Sequence, residues 1–218
     1  MKFIGITGGV GAGKSAILSY LAQKPHTKVM LADEIAHELM NPGTDCYWKI
    51  VEKFRGEDIF CGELSSKTDL SEQASVLPLS VFDDMRPFDR GKLAQVIFSN
   101  QKKREMMNAI VHPAVKEYVR KQYEKERKLG QTKLLILEAA LLIEEKYDEI
   151  CDELWYIYTS EENRRKRLVE SRGYSQEKID NIFKSQLSEK EFRKFTQVTI
   201  DNNGNLEETY KQIENALI

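Results

Sequence analysis

The sequence predicts an α/β fold, a five-stranded parallel sheet covered by helices. Three observations carry this. Short, nearly continuous runs of Ile, Leu and Val recur along the chain, as strands buried on both faces require. Stretches of helical pattern follow most of them, and that alternation belongs to doubly wound sheets. A glycine-rich segment separates the first such run from the first such helix.

Residues 2–7 (KFIGIT) make the first strand, and a helical pattern covers residues 15–23. Residues 28–31 (KVML) make the second strand. Asp33 follows it, beyond a strand's carboxyl end, where open α/β sheets bind ligands. There it suits two roles equally: N-cap of a helix starting at Glu34, or acceptor of a hydroxyl proton. Residues 32–132 are mainly helical and too long for a simple crossover, which predicts an inserted helical subdomain over residues 34–130. Within it, residues 55–91 read as a loop containing Pro78 and Pro87, and His112–Pro113 opens a helix reaching residue 128.

The third strand, residues 133–138 (KLLILE), ends on Glu138. That carboxylate suits contact with Mg²⁺ through water, or simply entry into a helix over residues 139–144. The fourth strand, residues 154–158 (LWYIY), leads through Thr159 and Glu162, spaced as a capping box, into helices over residues 161–172 and 175–186. Residues 161–194 are dense in Arg, Lys and Glu, either a solvated helical hairpin or a basic lid. A strand at residues 197–200 (QVTI) and a helix at residues 206–217 close the fold.

Composition narrows the function. In 218 residues, 33 Lys and Arg face 35 Asp and Glu, a net charge of −2 that excludes a broadly basic nucleic-acid coat. The three cysteines, Cys46, Cys61 and Cys151, are odd in number and never spaced as CxxC. This speaks against a disulfide framework or a structural zinc site and for a reducing, cytoplasmic compartment. No signal peptide is expected, and no segment approaches the roughly 20 apolar residues of a membrane span.

The sharpest signal is GITGGVGAGKS, in which Gly8, Gly13, Lys14 and Ser15 satisfy G-x-x-x-x-G-K-[ST] between a strand and a helix. Glycines bring backbone N–H groups close to phosphate oxygens, and the helix adds its positive end. Lys14 is expected to reach the β- and γ-phosphates of the nucleotide, and the Ser15 hydroxyl to ligate Mg²⁺. The segment therefore reads as a P-loop binding a nucleoside triphosphate. No guanine-reading Asn-Lys-x-Asp is present, which disfavours a GTP switch, and the length disfavours a processive ATPase. A small-molecule kinase needs an acceptor-facing carboxylate, an acceptor-binding insertion and arginines that neutralise the transferring phosphoryl group. Asp33, residues 34–130 and the group Arg164, Arg165, Arg167 and Arg172 are the candidates. A spacing of three puts Arg164 and Arg167 on one helix face.

Residues further along the chain resemble one family end to end, that of dephospho-coenzyme A (dephospho-CoA) kinase. The resemblance is carried by TGGVGAGKS, ADEIAHEL, DRGKLAQVIFSN, IVHPAV, LEAALLIE, RRKRLVESRGYS and IDNNG, in that order. It implies a P-loop NTPase fold with a helical substrate subdomain and a lid at residues 161–194. The implied reaction is transfer of the γ-phosphoryl of ATP to the ribose 3′-hydroxyl of dephospho-CoA, the last step of coenzyme A biosynthesis. It implies that Gly11, Ala12, Gly13, Lys14, Ser15 and Ala16 contact ATP, with Lys14 also catalytic. Asp33 becomes the base or hydroxyl-orienting group, and Arg167 the lid arginine. His112 would lie near the coenzyme-binding insertion, and Asn202 and Asn203 near the adenine. Leu31, Ala140 and Ser171 depart from the family's Asp, Pro and Arg, and residues 65–86 are longer than the family's pattern. The expected partners are ATP and dephospho-CoA, with no nucleic acid and no membrane, on a monomer or small homo-oligomer. The competing readings are a kinase of another nucleoside, nucleotide or small metabolite, and a switch module that hydrolyses ATP slowly.

Overall fold

A computed structural model describes residues 1–62 and 86–218. The strands are β1 (Lys2–Thr7), β2 (Thr27–Leu31), β3 (Leu134–Glu138), β4 (Glu153–Tyr158) and β5 (Val198–Asp201). The helices are α1 (Lys14–Ala22), α2 (Ala32–Leu39), α3 (Asp45–Lys53), α4 (Arg90–Phe98), α5 (Gln101–Leu129), α6 (Glu161–Arg172), α7 (Gln176–Lys184), α8 (Glu189–Phe195) and α9 (Leu206–Leu217). All strand pairs are parallel, in the order β2-β3-β1-β4-β5. Burial follows that order. The central β1 is buried along nearly its whole length, while the edge strands β2 and β5 keep partly exposed residues.

The chain divides into two compact units, residues 1–32 with 120–218, and residues 33–119. In the first, one face of the sheet packs Ile4, Ile6, Ile136, Trp155 and Ile157 against Ile17 and Leu21 of α1 and Ile213 of α9. Burial of this apolar surface, at roughly 25 cal/mol per Å², is the main stabilising term. Tyr20 stacks on Tyr210 at 3.9 Å and donates to Glu214, which also pairs with Lys24. These contacts fasten α1 to α9. On the sheet's other face Phe3 stacks on Tyr123 of α5 at 5.3 Å and Tyr156 on Phe192 of α8 at 4.7 Å.

In the second unit, Thr44 caps α3 by accepting from Tyr47 N–H, and Asp89 caps α4 by accepting from Gly91 and Lys92 N–H. Phe60 and Phe88 form an isolated antiparallel bridge, with Tyr47 beside Phe88 at 4.8 Å. The bridge joins the two ends of the described chain on either side of residues 63–85. Most of the 55–91 stretch read as a loop lies in that interval, outside the described residues, as does the long segment noted from residue 65.

Four local expectations need correction. The helix expected to open at His112–Pro113 starts at Gln101, with the Asn100 side chain accepting from Lys102 N–H at 2.9 Å. Pro113 lies inside it; the missing N–H removes one rung of the ladder without ending the helix. Asp33 is not an N-cap, because β2 runs directly into α2 at Ala32 and leaves Asp33 in the helix's first turn. Residues 140–146 form hydrogen-bonded turns in place of the helix expected over residues 139–144, one of them closed by Tyr147 N–H on the Leu142 carbonyl. Ser160, not Thr159, caps α6 by accepting from Asn163 N–H, because the Thr159 hydroxyl is drawn inward onto another carbonyl.

Candidate functional site

The candidate site is built on the bend between β1 and α1. Gly11 and Gly13 hold left-handed φ values of 84° and 87°, which residues carrying a Cβ adopt only at a cost. Gly13 stands at the N-cap of α1, so the first turn directs its N–H groups into the concavity of the bend. The Lys14 ammonium donates to the Gly8 carbonyl at 2.8 Å and lies 3.6 Å from Glu138 Oε1. Glu138 ends β3 in register with Ile6 of β1 and Leu31 of β2, at the carboxyl edge of the sheet. Ser15 is exposed on the first turn of α1, and Ala16 follows it.

The outer side of the bend is braced by polar groups from distant parts of the chain. The Ala12 carbonyl accepts from Thr159 Oγ1 at 3.0 Å, Asn202 Nδ2 at 2.8 Å and Arg167 Nη1 at 3.3 Å. Arg167 Nη2 also donates to the Asn202 carbonyl at 2.7 Å, and Thr209 Oγ1 donates to Asn202 Oδ1 at 3.0 Å. Thr159 and Asn202 are both 2% exposed, so these contacts are shielded from water. Two residues back, the Val10 carbonyl accepts from Arg164 Nε at 2.9 Å. Burial pushes the Arg164 guanidinium below its ordinary pKa.

The four arginines read as one group have separate partners. Arg164 and Arg167, on one face of α6 as their spacing predicts, both meet the backbone of the glycine bend. Arg165 turns away, pairing with Glu161 at 2.7 Å and with Asp180 of α7 at 2.6 Å. Arg172 lies against the Tyr174 ring at 5.9 Å. Residues 161–194 thus hold three helices rather than a hairpin, of which α8 packs on β4 through Phe192 and Tyr156. Two bracing residues escaped sequence reasoning. The spacing of Thr159 marks it only as a cap, and Gln186, whose Oε1 accepts from Val10 N–H at 3.3 Å, carries no signal beyond ending a helical stretch.

Asp33 is exposed in the first turn of α2, two residues after β2 ends. His112 is half-buried within α5. Asn203 accepts from Ser160 N–H at 2.8 Å and closes the β5 loop onto the start of α6. No group of three His, Cys, Asp or Glu that could hold a metal occurs among the described residues. The oxygen donors near the bend, the Ser15 hydroxyl and the Glu138 carboxylate, are hard ligands that suit Mg²⁺ rather than zinc.

A parallel sheet of this order carrying a glycine-lysine-serine bend at its central strand defines a P-loop NTPase fold. The dephospho-CoA kinase family model matches residues 2–74 and 65–208. Among curated relatives, dephospho-CoA kinases of Carboxydothermus hydrogenoformans and Fusobacterium nucleatum are each 32% identical; the first covers 98% of this chain and 91% of its own, the second 98% and 96%. The chain belongs to the dephospho-CoA kinase family. A Thermus thermophilus crystal structure shares the fold with a TM-score of 0.70 at 23% identity, over 99% of this chain and 96% of that one. The dephospho-CoA kinase of Campylobacter jejuni does so at 0.62 and 18%, over 100% and 96%.

Proposed function

We propose that the chain transfers the γ-phosphoryl of ATP to the 3′-hydroxyl of dephospho-CoA, yielding coenzyme A and ADP. The observation that carries the reading is the Lys14 ammonium held at the mouth of the glycine bend by the Gly8 carbonyl, with Glu138 3.6 Å away. A cation so placed is ready to exchange a neutral carbonyl for the oxygens of a polyphosphate, a stronger charge-assisted partner. The amides of residues 11–16 would wrap the phosphates, with the α1 N-terminus adding its positive end. Ser15, with Glu138 nearby, would hold Mg²⁺, which when bound neutralises phosphate charge. Asp33 would accept the acceptor's hydroxyl proton and orient its oxygen for in-line attack. Arg167 contributes positive charge beside the loop and keeps the Ala12 carbonyl turned away from the anion. Residues 34–130 would receive the pantetheine-bearing substrate, and residues 161–194 would close over the nucleotide to exclude water. Cytoplasmic residence fits the free cysteines.

The deciding experiment measures ADP release with dephospho-CoA, with a panel of nucleosides and nucleoside monophosphates, and with no acceptor. Turnover that depends on dephospho-CoA is the expected outcome. Turnover with another acceptor, or acceptor-independent hydrolysis at the same rate, would replace this reading by a different kinase or a slow switch.

A further inference from the structure

One residue of the phosphate loop is gripped at both of its main-chain groups by two side chains that also bond each other. Val10 N–H donates to Gln186 Oε1 at 3.3 Å, and the Val10 carbonyl accepts from Arg164 Nε at 2.9 Å. Arg164 Nη2 donates to the same Gln186 oxygen at 2.5 Å, closing the ring of contacts. Arg164 comes from α6, and Gln186 from the turn between α7 and α8. The guanidinium lies over the Phe183 ring at 4.1 Å, which fixes its plane. Gly9 makes the approach possible, since a Cβ there would stand 2.3 Å from Arg164 Cζ.

We propose that Gln186 is a positioning residue for nucleotide binding, acting through Val10 on the shape of the phosphate loop. The proposal rests on the ATP-binding reading above and deepens it. The anion-facing amides of such a loop bind well only if their peptide planes are set beforehand, so that binding does not have to order them. Gln186 sets the plane of the peptide entering Val10, and Arg164 that of the peptide leaving it. The ring also makes the shape of the loop depend on the docking of residues 176–195, as the only bond from that segment to Val10 N–H is the one Gln186 makes. Both contacts use Gln186 Oε1 as an acceptor alone, so a carboxylate can stand in for the amide while an alkyl group cannot.

The test is a double-mutant cycle in the full chain, Gln186→Leu and Arg164→Met singly and together. A non-hydrolysable ATP analogue is titrated by calorimetry, and ATP and dephospho-CoA kinetics are run alongside. Each single change is expected to weaken the analogue about tenfold, and the double change also about tenfold rather than about a hundredfold, because the residues act as one unit. The KM for ATP should follow, while that for dephospho-CoA stays within about twofold. Gln186→Glu should bind the analogue within about threefold of the parent. Multiplying effects, a Gln186→Leu protein that melts lower yet binds the analogue normally, or a Glu variant as impaired as Leu would each overturn the proposal. If Arg164→Met does not fold, the comparison of Gln186→Leu with Gln186→Glu decides alone. Calorimetry reads the nucleotide whatever the acceptor, so a wrong acceptor would empty the kinetic arm and leave this result standing.

Discussion

Three donors converge on the Ala12 carbonyl, and that single oxygen shows how the glycine bend is held in shape. With its lone pairs engaged behind the loop, the peptide following Ala12 is oriented and its N–H faces the concave side. Gly13 sits at the centre of this arrangement. An Ala there would take a left-handed φ of 87° and bring its Cβ to 2.4 Å from Asn202 Nδ2. Gly13→Ala should therefore cost about 1–2 kcal/mol from the backbone alone, read as a lower urea midpoint at unchanged slope. An unchanged midpoint would mean the network relaxes freely. For the proposed reaction, Lys14→Ala and Asp33→Asn should each lower kcat by at least about a hundredfold, since the proposed mechanism has both groups act mainly in the transition state. Near-normal turnover of Asp33→Asn would remove that carboxylate from the mechanism.

At the scale of elements, α6 joins chemistry to architecture. Its Arg164 and Arg167 reach the loop, while Arg165 ties it to α7 through Asp180. Helix α5 does its anchoring at its carboxyl end. There Glu126, 8% exposed, accepts from Lys28 of β2 at 2.7 Å and from Thr132 at 2.6 Å. The Lys28 hydrogen bond, then that of Thr132, holds the Glu126 carboxyl below the usual carboxylate range. A lowered folded value means the stabilisation is complete above the unfolded value of about 4.3 and is lost as pH falls through the folded one. Glu126→Gln should therefore lower stability at pH 7 by about 1 kcal/mol, a modest figure because Lys28 is partly solvated. Thermal melts of the two proteins should converge toward pH 3. A gap that stays constant with pH would assign the loss to packing instead of charge.

Across the whole molecule, burial separates the cysteines. Cys151 lies against β1, its thiol pushed up to about 12 chiefly by burial, and burial also raises that of Cys46, whereas Cys61 is exposed. Alkylation of the native protein at pH 8 should label Cys61 at least about tenfold faster than the other two, with all three reacting in denaturant. Equal native rates would mean the sheet opens readily. Among the described residues no helix is long and apolar enough to cross a membrane. What the sequence by itself determined was of short range, and not all of that. The strand runs, most helices and the glycine-lysine-serine bend are written within a few residues of one another, where periodicity and backbone freedom act. The tertiary structure alone decided which side chains brace that bend. Thr159, Arg164, Arg167, Gln186 and Asn202 lie 147 to 190 positions from the backbone groups they hold. A polar side chain carries no mark of so remote a partner. Its role appears only when the parallel sheet brings the ends of β1, β4 and β5 to one edge, and for the same reason Thr159 read as a cap and Gln186 as an ordinary helix end.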